Sequence, residues 1–164
     1  MISTSRGCRH GCIYCSRSVK SDTIRTFSPK RVYDEIIYLF ERFGIRDFAI
    51  IDDCFFVSRN RMLDFVEEFS ERKEKNPELG QITLQIMCRP EVLDAEIIEA
   101  LRKINIKIIQ IGLQTINPEL QGFMKRDMSE DSFRRMAQLL EKNDIIFSLD
   151  LIMGLPGDTI EEFK

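Results

Sequence analysis

Five short apolar, β-rich runs recur along the 164 residues, at 2–4, 47–52, 82–87, 106–112 and 145–152, and stretches with helical spacing of apolar residues lie between them. This alternation constrains the fold more than any other feature. Strand, amphipathic helix and strand in succession imply βαβ units with right-handed crossovers and a mainly parallel sheet. The helix ends are legible. Ser28 followed by Pro29 starts a helix that carries Val32, Ile36, Leu39, Phe40 and Phe43 on one face and stops at Gly44. Met62, Phe65, Val66 and Phe69 mark a second helix, and Ile97, Ile98 and Leu101 a third that begins near Asp94. A fourth near Ser129 carries Phe133, Met136, Ala137 and Leu140, and a fifth begins around Thr159.

Composition bounds the rest. The length suits one domain with a real core. A net charge of −3 argues against general electrostatic binding to nucleic acid or anionic membrane. No apolar run reaches membrane-spanning length, and the start lacks a signal peptide's apolar stretch. Five cysteines is an odd number, and three of them crowd into eight positions, so a disulfide framework is a poor reading. A reduced, cytoplasmic protein whose clustered thiols bind metal or do redox chemistry fits better.

In parallel α/β sheets, ligands bind beyond the C-terminal ends of the strands. Each strand here is followed by an unusual segment: the cysteine loop, "DDCF", "CRP", "QTINP" and "GLPGD". All five therefore fall on one face. The loop "SRGCRHGCIYCSRS" holds Cys8, Cys12 and Cys15 and no fourth cysteine. Structural zinc wants four closed ligands, and His10, lying between Cys8 and Cys12, could supply a fourth only in a badly strained loop. A [4Fe–4S] cluster held by three cysteines would keep one iron open to a ligand from outside the protein. Iron–sulfur is the favoured reading, with zinc or a reactive dithiol as the alternatives. Positive charge from Arg6, Arg9 and Arg17 around the loop would ease a cluster's negative charge.

The C-x3-C-x-Φ-C pattern, with Tyr14 before the third cysteine, resembles the signature loop of the radical S-adenosylmethionine (SAM) superfamily. "RGC", "DDCFF", "IGLQTINPELQGFMKR" and "DLIMGLPGDTIEEF" are similar to that superfamily too, in order and across essentially the whole chain. The nearest branch holds cobalamin-domain radical SAM proteins, methylthiotransferases and oxygen-independent coproporphyrinogen oxidases. The resemblance implies an α/β fold, a parallel (βα)n partial TIM-like barrel, truncated after about five βα units. Residues 1–164 are then expected to be an incomplete core domain of a longer protein, with cobalamin in a domain outside it. It implies an enzyme in which a [4Fe–4S] cluster on Cys8, Cys12 and Cys15 reductively cleaves SAM. The resulting 5′-deoxyadenosyl radical would take hydrogen from a small-molecule or macromolecular substrate. An electron donor such as flavodoxin or ferredoxin is implied. An unfinished sheet also leaves an edge open to self-association. The rival reading is a non-catalytic zinc, dithiol or electron-transfer module on the same fold.

The resemblance further assigns SAM contacts. Arg126 would clamp the carboxylate; the alternative is an exposed arginine facing Asp127 or Glu130. Gln114 would meet ribose hydroxyls or else cap its loop. Asp150 lies in an apolar run and needs a partner, either the ribose diol or a salt bridge within the sheet. Asp52 and Asp53 stand where the superfamily often carries a Gly-Gly-Glu-like motif for SAM's ammonium, with Asp53 slightly favoured to point inward. Gly154 and Gly157 would admit an adenine edge or simply form a turn. Cys54 and Cys88 are expected to be small buried hydrophobes or a redox thiol near substrate. Arg89 would lower the Cys88 pKa or bind an anionic substrate group.

Overall fold

The computed structural model describes residues 1–16, 23–126 and 128–163, so Arg17 and Asp127 lie outside the described residues. A parallel bridge joins Ile2 to Ile50. A two-residue strand, β1 (Ser5–Arg6), then pairs antiparallel with β2 (Arg25–Thr26). Beyond them strands and helices alternate: α1 (Pro29–Phe43), β3 (Asp47–Ala49), α2 (Arg59–Lys75), β4 (Thr83–Cys88), α3 (Ala95–Leu101) and β5 (Ile106–Gln114). The short α4 (Pro118–Phe123), α5 (Glu130–Lys142), β6 (Phe147–Leu151) and α6 (Ile160–Phe163) follow.

The main sheet runs β3-β4-β5-β6, every pair parallel. Strand order follows chain order and never reverses. Right-handed crossovers then place the connecting helices on one side, which is the winding of a βα barrel and not of a doubly wound sheet. The architecture is accordingly an α/β partial TIM-like barrel.

Alternation along the strands separates two faces. Leu84, Ile86, Ile109 and Ile111 are buried against Met62, Phe65, Phe69, Ile97, Ile98, Met136 and Leu140. Each large side chain fully buried there contributes about 1.5–3 kcal/mol. Tyr33 of α1 is wholly buried, its ring 4.5 Å from that of Phe65 and 4.9 Å from that of Phe69, which fixes α1 on α2. Helix starts are capped by side chains as the sequence implies: Ser28 accepts from the Arg31 N–H, Ser58 from Arg61, Asp94 from Ile97 and Ser129 from Ser132. Gly44 ends α1 at φ 66°, its N–H donating to the Phe40 carbonyl.

Three local features differ from the sequence-based expectation. The run at 2–4 pairs only through Ile2, because Asp52 takes the Thr4 N–H out of any ladder. β5 continues two residues past 112, through a register shift between Gly112 and Gln114, and Gln114 sits at φ 72°. The helix α4 was not anticipated. Asn117 caps it by accepting from Glu119 and Leu120, with Pro118 in the first turn. At the β6 side, Leu149 and Leu151 are exposed. No helix among the described residues is long and apolar enough to cross a membrane.

Candidate functional site

A cavity of about 590 Å³ opens where the strands end, and it gathers four of the five unusual segments; "GLPGD" contributes no residue to its lining. Cys8, Cys12, Tyr14 and Cys15 line it from the first loop, Asp52, Asp53 and Cys54 from the end of β3, Cys88 and Arg89 from β4, and Gln114 and Arg126 from β5 and beyond. Its floor is the inner face of the sheet, with Gln85, Gln110, Ser148 and Asp150.

The cysteine loop is tied down at its entry. Asp52 is buried, and its Oδ1 accepts from the Thr4 N–H at 2.6 Å and from Ser3 Oγ at 3.3 Å. Its Oδ2 accepts from Ser5 Oγ at 2.8 Å and from Thr4 Oγ1. Arg61 Nη2 closes the clasp by donating to the Thr4 carbonyl at 3.0 Å and the Phe27 carbonyl at 3.2 Å. Gly7 comes next, at φ 97°, its N–H donating to Asp53 Oδ2 at 3.2 Å. A β-carbon at Gly7 would meet the Thr23 carbonyl oxygen at 2.6 Å, so the step into Cys8 requires glycine.

The loop's thiols sit in different fields. Cys8 is held well below the usual thiol range, at about 6, chiefly by a hydrogen bond from Cys54; burial opposes this. The Cys54 thiol is pushed up by that same bond and by burial. Cys12 is buried and accepts from Arg89 Nη1 at 3.2 Å. Arg89 in turn forks onto Glu91, with Nη2 2.7 Å from Oε1 and Nε 3.1 Å from Oε2. Among the described residues, the trio with ligand atoms all within 4.8 Å of one another is Cys8, His10 and Cys54, not the loop triplet. Burial and the nearby Arg89 depress the His10 pKa.

Arg126 is aimed inward by the backbone. Lys125 turns left-handed at φ 56°, and the Arg126 N–H donates to the Gln121 carbonyl at 2.9 Å, ending α4. The side chain is 3% exposed; Nη1 donates to the Tyr14 hydroxyl at 2.9 Å and Nη2 to the Gly112 carbonyl. Nε is buried with no partner, and Glu91 Oε1 lies 3.9 Å from Nη2. The exposed alternative for this residue is therefore overturned. Burial raises the Tyr14 pKa, and Arg126 partly offsets it.

The other expected residues divide. Asp53 lines the cavity, whereas the carboxylate of Asp52 is committed to residues 3–5. Asp150 also lines the cavity, but its partner is neutral: Gln110 Nε2 donates to its two oxygens at 3.0 and 2.8 Å, where a salt bridge was the alternative. Gln114 lines the rim, and its carbonyl accepts from Ile152. Gly154, at φ 78°, is exposed and stands outside the cavity lining. Cys88 is in the hydrophobic core, and burial pushes its thiol up, so the expectation that Arg89 activates it is corrected: Arg89 reaches Cys12 and Glu91 instead. Glu91 and Gln110 were missed. Glu91 stands two residues after Arg89, and Gln110 breaks an isoleucine run, a polar intrusion of the kind that singled out Asp150.

Comparison with known proteins bears on what this mouth is. The sequence profile of the radical SAM superfamily matches residues 2–164. The chain belongs to the radical SAM superfamily. Among curated relatives, it is 22% identical to an uncharacterized methyltransferase of Pyrococcus horikoshii, over 100% of this chain and 35% of that protein. It is 24% identical to the anaerobic magnesium-protoporphyrin IX monomethyl ester cyclase of Rubrivivax gelatinosus, over 98% of this chain and 28% of that protein. The tryptophan 2-C-methyltransferase of Streptomyces laurentii is 26% identical over 95% of this chain and 28% of its own length. The structure of the radical SAM methyltransferase TsrM from Kitasatospora setae, with cobalamin and a [4Fe-4S] cluster bound, matches with a TM-score of 0.90 at 24% identity, over 98% of this chain and 32% of that one. The chain thus spans 28–35% of the length of these curated relatives.

Proposed function

We propose that this chain is the core of a radical SAM enzyme of the cobalamin-associated branch, with Cys8, Cys12 and Cys15 holding a [4Fe–4S] cluster. One observation carries the reading: three thiols of one loop line a single cavity with a buried, inward-pointing arginine. The donor set fits. Three cysteines leave one iron position for SAM's amino and carboxylate groups, and Arg126 lines the same cavity. Bound there, the cluster would supply the single electron for reductive cleavage of the C–S bond of SAM.

The chain's own residues position and shield. Arg126 binds the SAM carboxylate and is held in place by Tyr14 and the Gly112 carbonyl. Asp53 faces the ammonium, Gln114 and Asp150 face the ribose, and Gly154 would have to move inward to reach the adenine. Asp52 acts at a distance by locking the loop's entry. Methyl transfer, methylthio transfer and ring closure are the reaction classes named among the relatives. With this function go a flavodoxin or ferredoxin as electron donor, a small-molecule or macromolecular substrate, a cytoplasmic location, cobalamin in a further domain, and self-association along the β6 edge.

Anaerobic reconstitution tests the reading. About four iron and four sulfide per chain are expected, falling away in Cys12→Ala and Cys15→Ala. The full-length protein with SAM and dithionite should release 5′-deoxyadenosine; its failure to do so refutes the enzyme. One observation favours a second reading, a single zinc ion on Cys8, His10 and Cys54, whose ligand atoms lie within 4.8 Å of one another. Thiolates around tetrahedral zinc lie about 3.8 Å apart, given Zn–S bonds of about 2.3 Å. One zinc per chain, lost in Cys54→Ser and kept in Cys15→Ser, supports that reading.

A further inference from the structure

The contact between Arg89 and Cys12 joins residues 77 apart in the chain, yet cluster ligation and SAM binding leave it without a role. The surroundings are charged and mostly shielded. Arg89 is 17% exposed and Glu91 21%. Glu91 holds the Arg89 guanidinium in a two-point fork and stands 3.9 Å from Arg126. Tyr14, on the same loop as Cys12, receives the other guanidinium. A continuous chain of contacts therefore runs from the Cys12 sulfur through Arg89, Glu91 and Arg126 to Tyr14.

We propose that Arg89 is a positioning residue for the cluster: it orients the Cys12 sulfur and biases the cluster toward its reduced state, and the Glu91 carboxylate limits its effect. This rests on the cluster reading above. Taking up one electron carries a [4Fe–4S] cluster from its 2+ to its 1+ state, so the cluster with its thiolates becomes more negative by one charge. A cation donating an N–H to a ligand sulfur stabilises the more negative state more strongly, and hydrogen bonds to cluster sulfurs are a recognised lever on potential. A carboxylate behind that cation works in the opposite direction. Low exposure at Arg89 and Glu91 keeps water from screening either charge.

A purely structural Arg89–Glu91 pair would behave differently. Breaking it from either side would loosen the same turn, so both variants would change stability in one direction and neither would have reason to shift the potential oppositely. The opposed signs are the signature of the charge arrangement.

The test uses the anaerobically reconstituted chain, with iron and sulfide counted first. The midpoint of the 2+/1+ couple is then measured by dithionite titration with mediators, followed by EPR and visible absorption. Arg89→Gln should lower the midpoint, Glu91→Gln should raise it, and Arg89→Lys, which keeps the charge without the fork, should fall between Arg89→Gln and the unmodified chain. If Arg89→Gln loses its cluster, Arg89→Lys and Glu91→Gln still decide: an unchanged or lowered midpoint in Glu91→Gln overturns the inference. So do shifts of one sign in Arg89→Gln and Glu91→Gln, or none in either. Failure of the unmodified chain to assemble any cluster overturns the cluster reading, and the inference falls with it. A normal cluster with unmoved midpoints overturns the inference alone.

Discussion

Replacing Asp52 should unlock the cysteine loop without touching a thiol. Asp52 is 5% exposed, and its carboxylate accepts four hydrogen bonds, from Ser3, from the Thr4 backbone and hydroxyl, and from Ser5. Asp52→Ala leaves the Thr4 N–H without its partner in a closed space and the Ser5 hydroxyl with only the Cys54 carbonyl at 3.4 Å. It also removes the negative charge facing Arg61, whose Nε and Nη1 are already buried without partners. Hydrogen bonds to a charged group contribute about 1.5–3 kcal/mol each, and breaking a buried charged network from one side costs about 3–5 kcal/mol. We therefore expect Asp52→Ala to cost about 4 kcal/mol, a large part of the roughly 5–15 kcal/mol that holds a domain together. Asp52→Asn keeps an oxygen for the Thr4 N–H, and the two hydroxyls can rotate to accept from its amide. Its cost should be nearer 2 kcal/mol, from lost charge assistance and the less compensated Arg61. Ser5→Ala, which removes one donor, should cost about 1 kcal/mol. Urea unfolding followed by far-ultraviolet circular dichroism reads the series. With a slope of about 2 kcal/mol per molar, the midpoint should fall by roughly 2 M, 1 M and 0.5 M in that order. A midpoint for Asp52→Ala within about 0.3 M of the unmodified chain, by the same slope, would falsify the clasp.

Other outcomes follow from single contacts. In the cluster-free chain, the Cys8 thiolate should form on raising the pH through about 6, because the hydrogen bond from Cys54 favours the charged form. Iodoacetamide labelling read by peptide mass spectrometry should show Cys8 reacting below pH 7, with Cys54→Ala moving its profile upward. Arg126→Gln should weaken SAM binding about 10- to 100-fold in anaerobic equilibrium dialysis, the equivalent of about 1.5–3 kcal/mol for a charged hydrogen-bond donor, with cluster content unchanged. Phe65→Ala empties the space between Tyr33 and Phe55, whose rings lie 4.5 and 5.3 Å from its own, and should cost about 3–5 kcal/mol in thermal or urea unfolding.

What the sequence makes legible here depends on whether the cause is local. Ser28, Ser58, Asp94 and Ser129 announce helix starts because a cap is satisfied within three residues of itself. Strand positions on β4 and β5 are legible because the pleat imposes a period of two. The clasp is not legible in that way: Asp52 and Thr4 are 48 residues apart, and nothing near either reports the other. Without it, residues 2–4 read as an ordinary first strand. The same distance hides the Arg89–Cys12 contact and made Cys88 look like the natural recipient of that charge. β2 had no signal at all, being two exposed polar residues held by Ser5 and Arg6. By contrast the cavity's membership was largely legible, since winding order alone sends every strand end to one side.

The polar inner face of the sheet has a bearing on how such a chain can change. A closed barrel usually fills this space with interlocking branched side chains, and any substitution there disturbs its neighbours. Here Gln85, Gln110, Ser148 and Asp150 face open volume, while cohesion comes from the opposite face, where Leu84, Ile86, Ile109 and Ile111 meet the helices. Recognition and cohesion are thus written on alternate residues of the same strands. A library confined to the even positions 108, 110 and 148 could alter what the cavity admits at little cost to folding. A descendant of this sequence could explore new substrates by the same steps.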